Sequence, residues 1–455
     1  MAAARREMQS NLEDSKAHAP APDCDVLVIG GGPAGSAAST FLARRGRRVV
    51  MLEKDAHPRF HIGESLLPMN MPILERLDAF DKVAAIGVFK SGADFPADTG
   101  GYNVFRFDRA LDARSVHAFQ VRRSDFDRVL FEHAAENGVD ARQQVRVVAV
   151  EPAPGGGSLV TAQGPDGACR WRARYVVDAS GRDAFIGGRR RIKRKNMRHQ
   201  SAALFSHFHG VERREGVDAG NVSIYRHEHG WIWLIPLPDG VTSVGAVCYP
   251  DYMKTRRGDS EGFLMRTLAT VPEVARRMAG ATRCADVHAT GNYAYGCSEM
   301  AGPGWVLVGD AYEFVDPMFS SGVYLAMHGA EKAAAMVDAA LDDPAREAAL
   351  QRELRRHIDA GTREFKWFIY RFTSPAMRHL FANPRNLLQV EDAVVAMLAG
   401  DVFDNPRVRR RLRVFRALYA VTSLVMLPRS LRNRWRRRRQ ARVGFSGETL
   451  QADEP

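Results

Sequence analysis

Residues 23–53 read DCDVLVIGGGPAGSAASTFLARRGRRVVMLE, and this stretch decides the fold. The apolar run 23–29 has the composition of a buried strand and flows directly into Gly30-Gly-Gly32-Pro33-Ala34-Gly35. A helical pattern follows to about Arg45, Gly46 stops it, and a second strand, 48–52, ends in Glu53. The whole is a βαβ unit of about thirty residues. Gly30 makes the tight turn, Gly32 lets the backbone approach a pyrophosphate, and Gly35 lets the helix pack on the strand. The anion sits where the helix opens, at Pro33 and Ala34, on the unpaired N–H groups of the first turn, proline itself having none. Glu53 stands where a ribose-binding carboxylate belongs, and a carboxylate there disfavours a 2′-phosphate. A glycine triplet alone would read as a plain turn; strand, helix and acid together predict an α/β, Rossmann-like dinucleotide-binding domain.

Further along, a helix opens near Ser124 and strands are expected at 145–150, 158–162 and 172–178. Residues 199–250 read as mixed β with aromatic-rich strands. A strand at 304–308 runs into Gly309-Asp310, a helix begins near Gly322, and the pattern beyond Asp342 is helical and charged. The nucleotide-binding domain, 23–345, is therefore assembled from separate pieces (about 23–85, 120–185 and 285–345). A β-rich substrate domain is interleaved at about 86–119 and 195–284, and 346–455 form a helical C-terminal region. The lead-in 1–22 lacks the apolar core of a secretory signal and reads as structureless.

The composition, 455 residues with 45% apolar and 26% charged, is that of an ordinary globular protein of two to three domains. Five scattered cysteines without ligand spacing argue against a disulfide scaffold and against a metal site, and fit a cytoplasmic location. The net charge of +12 belongs to one place: fourteen arginines and no acid lie between 407 and 446, so the rest is near neutral. A smaller basic cluster, GRRRIKRKNM, occupies 188–197. No nucleic-acid motif accompanies either, which argues against a general polyanion-binding protein. The segment 414–427, VFRALYAVTSLVML, is apolar apart from Arg416 and too short for the roughly twenty residues a bilayer span needs. It has three uses open to it: lying in a membrane interface at the inner membrane face, docking an acidic carrier protein, or capping the body with a solvated basic face.

Two downstream segments, Tyr175-Val-Val-Asp178-Ala-Ser-Gly181-Arg182 and Val306-Leu-Val-Gly309-Asp310-Ala, resemble motifs of FAD-dependent, hydroxylase-type flavoproteins. The resemblance implies FAD as cofactor, with Asp310 on the ribitol and the segment from Asp178 to Arg182 supporting flavin and pyrophosphate. It also places Arg123, in Arg123-x-x-Phe126-Asp127, beside the cofactor. No second GxGxxG is present, so a dedicated NADPH domain is not expected.

Three more segments narrow the activity. Trp231-Ile-Trp233-Leu-Ile235-Pro236 puts two indoles on one face of a strand, which alone reads as core packing. Lys90, in Gly87-Val-Phe89-Lys90-Ser-Gly92-Ala93, alone reads as a solvated surface lysine. The third is Phe314-x-x-Pro317-x-x-Ser320-x-Gly322. Together they resemble the flavin-dependent halogenases, whose WxWxIP motif is reproduced in full. The resemblance implies that Trp231, Trp233, Ile235, Pro236 and Phe314 shape the site, and that Pro317, Ser320, Ser321 and Gly322 form a halide loop beside the flavin. It further implies that FADH2, supplied by a separate flavin reductase, and O2 oxidise chloride or bromide to hypohalous acid. This oxidant would travel to Lys90, which hydrogen-bonds it or forms a haloamine and halogenates an electron-rich aromatic. Desolvation suits a lysine to both roles by lowering its pKa.

Met318-Phe-Ser320-Ser321-Gly322-Val323 lacks the acid that tryptophan halogenases carry beside the Ser/Thr-Gly turn. This resembles the phenol and pyrrole branch, whose substrates are free aromatics or acyl-carrier-protein thioesters in pigment and secondary-metabolite biosynthesis. His61-Ile-Gly63-Glu64-Ser65 resembles the flavin-side loop of the group, with Glu64 readable as purely structural. The rival readings are an aromatic monooxygenase giving halide-independent product, a reductase or dehydrogenase of unsaturated lipids, and an idle flavin-binding scaffold.

Overall fold

The strands β1 (Cys24–Ile29), β2 (Val49–Leu52), β3 (Asp140–Arg142), β4 (Gly167–Asp178) and β5 (Trp305–Leu307) lie side by side in the order β3-β2-β1-β4-β5. All four pairings are parallel. β1 and β2 are almost wholly buried, as expected of strands in a sheet covered on both faces. This computed structural model describes residues 22–97, 100–196, 200–257, 259–291, 294–428, 431, 432 and 435. The lead-in up to residue 21 and most of the arginine run after Pro428 lie outside the described residues.

Helix α1 (Pro33–Ala43) is buried from Pro33 to Leu42 because it packs between the sheet and α3 (Ser321–Asp342). α2 (Arg123–Glu136) packs on α1 from the other side. Strand order reverses between β1 and β4, and a crevice opens at such a switch point. The expected strands fall within a few residues of their places. β4 starts earlier than expected, at Gly167, because its first half pairs antiparallel with Ser158–Gly164.

A second sheet follows the path Thr282–Arg283, Ala202–His209, Thr242–Cys248, Gly230–Pro236, Val222–His227, Gly92–Pro96, Tyr102–Arg106. In Gly230–Pro236 the side chains alternate between two cores. Trp231, Trp233 and Ile235 join the large core, while Ile232 and Leu234 join a smaller one with Phe263, Leu264 and Leu268. Gly245 sits opposite Trp233, and a Cβ there would lie 2.3 Å from the indole. A two-stranded antiparallel ribbon pairs Gly87–Lys90 with Ala118–Val121.

The helices Glu347–Ile369, Pro375–Ala382, Val390–Ala399 and α4 (Pro406–Val425) follow. Asn103 donates to the carbonyls of Phe381 and Ala382, and Phe95 and Phe105 interlock with Phe381, so this region packs on the edge of the second sheet. α4 is fixed by Val408, Leu412 and Phe415 in its first half. Among the described residues no helix is long and apolar enough to cross a membrane.

Candidate active site

A cleft of about 660 Å³ opens at the C-terminal ends of the parallel strands, lined by Gly30, Gly32, Pro33, Ala34, Glu53, Arg123 and Asp310 among others. Gly30 has φ +99°, and a Cβ there would sit 2.6 Å from the Ala179 carbonyl. At Gly35 a Cβ would lie 1.8 Å from the Gly30 carbonyl, so only glycine lets α1 approach the turn this closely. At Gly32 a Cβ would project into the cleft, meeting only Arg59 Nη2 at 3.4 Å and Asp127 Oδ2 at 4.0 Å. The N–H groups opening α1 have no side-chain cap. These residues fit a dinucleotide: space and N–H donors for phosphates in the middle, a carboxylate at one end.

Glu53 is that carboxylate, buried at the end of β2. Its Oε2 accepts from the Gly31 amide at 2.7 Å and its Oε1 from the Asp55 amide at 3.0 Å. Arg59, which sequence reasoning missed, stands 3.4 Å from Glu53 and 3.3 Å from Asp127. Arg123 holds Asp127 through Nε and Nη2 at 2.8 and 3.0 Å and donates to the Ile62 carbonyl at 2.7 Å. Burial pushes Asp127 up, but the Arg123 charge in contact prevails and keeps it below the usual carboxylate range. Asp178 does not face the cleft: its oxygens accept from the Ser180 amide at 3.0 Å and the Ile186 amide at 2.7 Å. It positions the loop from Ala179 to Asp183, which does line the cleft. Asp310 borders the cleft, and burial pushes its carboxyl up to about 6.

Past Arg123 and Asp310 the space narrows into a cavity of about 90 Å³ walled by Trp231, Trp233, Ile235, Phe314, Pro317 and Met318. The two indoles, on one strand face, are 5.7 Å apart and tilted by 47°. Trp233 Nε1 donates to Ser243 Oγ at 3.2 Å. Pro236 closes the same strand away from the cavity lining.

Pro317–Phe319 form a tight turn, and Ser320 takes a left-handed φ of +56° to launch α3 at Ser321. Ser320 and Gly322 line the cavity. Ser321 Oγ is buried with no hydrogen-bond partner, beside amides that carry the partial positive charge of a 22-residue helix. Sequence reasoning found no acid beside Ser321-Gly322. Asp316, directly before Pro317 in the chain, caps the turn, accepting from Ser201 Oγ at 3.1 Å and the Met318 amide at 3.2 Å. Burial raises Asp316 to about 6. In sequence this residue is indistinguishable from any turn-capping aspartate.

Lys90 is not on the surface: it is 1% exposed at the end of its strand. Its Nζ donates to Ser65 Oγ and to the Leu66 carbonyl, both at 2.9 Å, and lies 5.3 Å from the Phe107 ring centre. Burial lowers its pKa to about 7. Ser65 lines the small cavity and Lys90 stands behind it. The neighbouring Glu64, buried, pairs with His207 at 2.6 Å.

Residues 23–358 match the FAD binding domain family. The chain is 32% identical over 365 residues to the flavin-dependent halogenase rdc2 of Metacordyceps chlamydosporia, covering 74% of this chain and 69% of that protein. The chain belongs to the flavin-dependent halogenases. This halogenase is also 31% identical over 332 residues to the 1H-pyrrole-2-carbonyl-(peptidyl-carrier protein) chlorinase of Pseudomonas fluorescens, covering 68% of this chain and 74% of that one. Among solved structures, a flavoprotein/dehydrogenase of Cytophaga hutchinsonii superposes with a TM-score of 0.82 at 30% identity, over 88% of this halogenase and all of that chain. The myxobacterial chondrochloren halogenase CndH superposes with a TM-score of 0.73 at 29% identity, covering 89% and 97%. The halogenase is thus an FAD oxidoreductase, and halide use comes with its family.

Proposed function

We propose that the enzyme transfers oxidised chloride or bromide to an electron-rich phenol or pyrrole, free or tethered to a carrier protein, through Lys90. The observation that carries this is a buried lysine with a near-neutral pKa, hydrogen-bonded to a residue of the cavity wall. The likeness to a pyrrole-carbonyl carrier-protein chlorinase supports the substrate class.

When bound, reduced FAD together with O2 supplies the oxidising equivalent, and a diffusing flavin from a separate reductase fits the absence of a second GxGxxG in the sequence. Glu53, Arg59 and Arg123 hold the cofactor, with Asp310 at its ribitol. Ser321 Oγ and the first amides of α3 hold the halide. Trp231, Trp233 and Phe314 exclude water and keep organic substrate away from the halide. Neutral Lys90 attacks the halogen of hypohalous acid: an N–halogen bond forms, the oxygen–halogen bond breaks, and the amine proton leaves with hydroxide as water. The aromatic carbon then takes the halogen as X⁺ while the nitrogen–halogen bond breaks, and the ring proton restores the lysine amine.

Aerobic turnover with FAD, a flavin reductase, NADH and bromide or chloride over a panel of free and carrier-bound phenols and pyrroles tests the reading. Halogen isotope patterns that vanish in Lys90→Ala support it. A hydroxylated product that ignores both halide and Lys90→Ala would replace it with an aromatic monooxygenase.

A further inference from the structure

The first half of α4 is docked on the body; the second half touches it along one side, at Thr422, Ser423 and Met426, and leaves the other side exposed. Val408, Leu412 and Phe415 are buried, and the Tyr419 hydroxyl donates to Ser374 Oγ at 3.2 Å. Beyond it Val421, Leu424, Val425 and Leu427 are exposed, Leu424 by 68% and Val425 by 79%. Residues 417–428 contain no charged side chain. Six arginines precede this block from Arg407 onward and eight follow it up to Arg442, with no acid among them.

We propose that this block, with the arginines flanking it, docks on an anionic lipid surface. Three observations favour lipid over another occupant. A second copy of the chain would bring fourteen more arginines and no acid against the first, so self-association along this face is opposed by charge. An acidic protein would satisfy the arginines but leave the uncharged apolar arc between them unmatched. At 100° per residue, Leu418, Val421, Leu424 and Val425 spread over about 120° of one face, while Thr422, Ser423 and Met426 on the other side are half-buried. A bilayer interface buries such a one-sided apolar face and supplies anionic headgroups to both arginine clusters. The block is about 18 Å long as a helix, short of the roughly 30 Å hydrocarbon core. It therefore enters one leaflet and does not cross.

The test is flotation of the full-length enzyme with phosphatidylcholine vesicles, with and without about a third phosphatidylglycerol. Anionic vesicles should bind it at least about tenfold more tightly than neutral ones, and the difference should shrink with salt. Leu424→Glu/Val425→Glu, both at exposed sites, should abolish binding while leaving FAD content and melting temperature unchanged. No flotation with anionic vesicles, or flotation of the double variant like the parent, overturns the proposal. A parent dimer by light scattering that the double variant dissolves, with no vesicle binding, assigns the face to a second copy instead. Capture by an acidic carrier protein without vesicle binding assigns it to that partner.

Discussion

Lys90 Nζ and Ser65 Oγ stand 2.9 Å apart across the wall of the small cavity, serine on the inside and lysine behind it. The buried amine thus meets the small cavity through Ser65. Burial lowers its pKa with no carboxylate pairing with it among the described residues, so protonation rather than ion pairing governs its state.

Lys90→Ala should lower halogenation by about a hundredfold to ten-thousandfold, the range of a lost proton-transfer or nucleophilic group. NADH and O2 consumption in the coupled assay should persist, because FAD binding lies elsewhere. Product by mass spectrometry against oxygen uptake separates the two.

The same lysine makes stability depend on pH in a stated direction. Its folded pKa, about 7, is below the unfolded value of 10.5, so the unfolded chain binds more protons between them. Stability should rise with pH across 7 to 10.5, and the gain is lost as pH falls through 7. Thermal melts of the parent and Lys90→Met should converge toward alkaline pH and diverge near neutrality, with the methionine variant the more stable there. A pH-independent difference would refute the assignment of a buried, ionisable amine.

Glu53→Ala removes the acceptor of the Gly31 amide and the cofactor-facing carboxylate together. FAD should bind about tenfold to a hundredfold more weakly, one to three kcal/mol for lost bonds to a charged group. Quenching of flavin fluorescence on titration measures it.

Ser321→Ala tests the halide loop. An unpartnered buried hydroxyl is a cost in the unliganded protein and an asset only if a ligand uses it. The melting temperature without halide should stay or rise, while the halide KM should increase about threefold to tenfold. An unchanged KM would place the halide elsewhere.

Much of this site was legible because its signals are local. The Gly30–Gly35 turn, Glu53 at a strand end and the Trp231/Trp233 alternation each depend on neighbours in sequence, and the parallel sheet follows from the first of them. What sequence could not show is which side chains meet across the fold. Glu64 and His207 are separated by 143 positions, and Arg59 reaches Asp127 on α2. Lys90 illustrates the limit from the other side: its motif marked it, but only tertiary packing shows that it is buried and faces Ser65. Asp178 shows the same limit: its place in the chain does not reveal that its oxygens accept from the Ser180 and Ile186 amides and so position the cleft loop from behind.

The strand Gly230–Pro236 contributes to two cores at once, indoles to one side and Ile232 and Leu234 to the other. A smaller residue at Trp231 or Trp233 widens the cavity only by emptying part of the large core, and a Cβ at Gly245 would press on the Trp233 indole. The wall is a keystone, so substrate range in descendants of this enzyme should drift through the loops at Ile62–Ser65 and Phe314–Ser320 while the strand stays fixed. Amide exchange along it should be slow and nearly uniform, opening only when the whole protein unfolds.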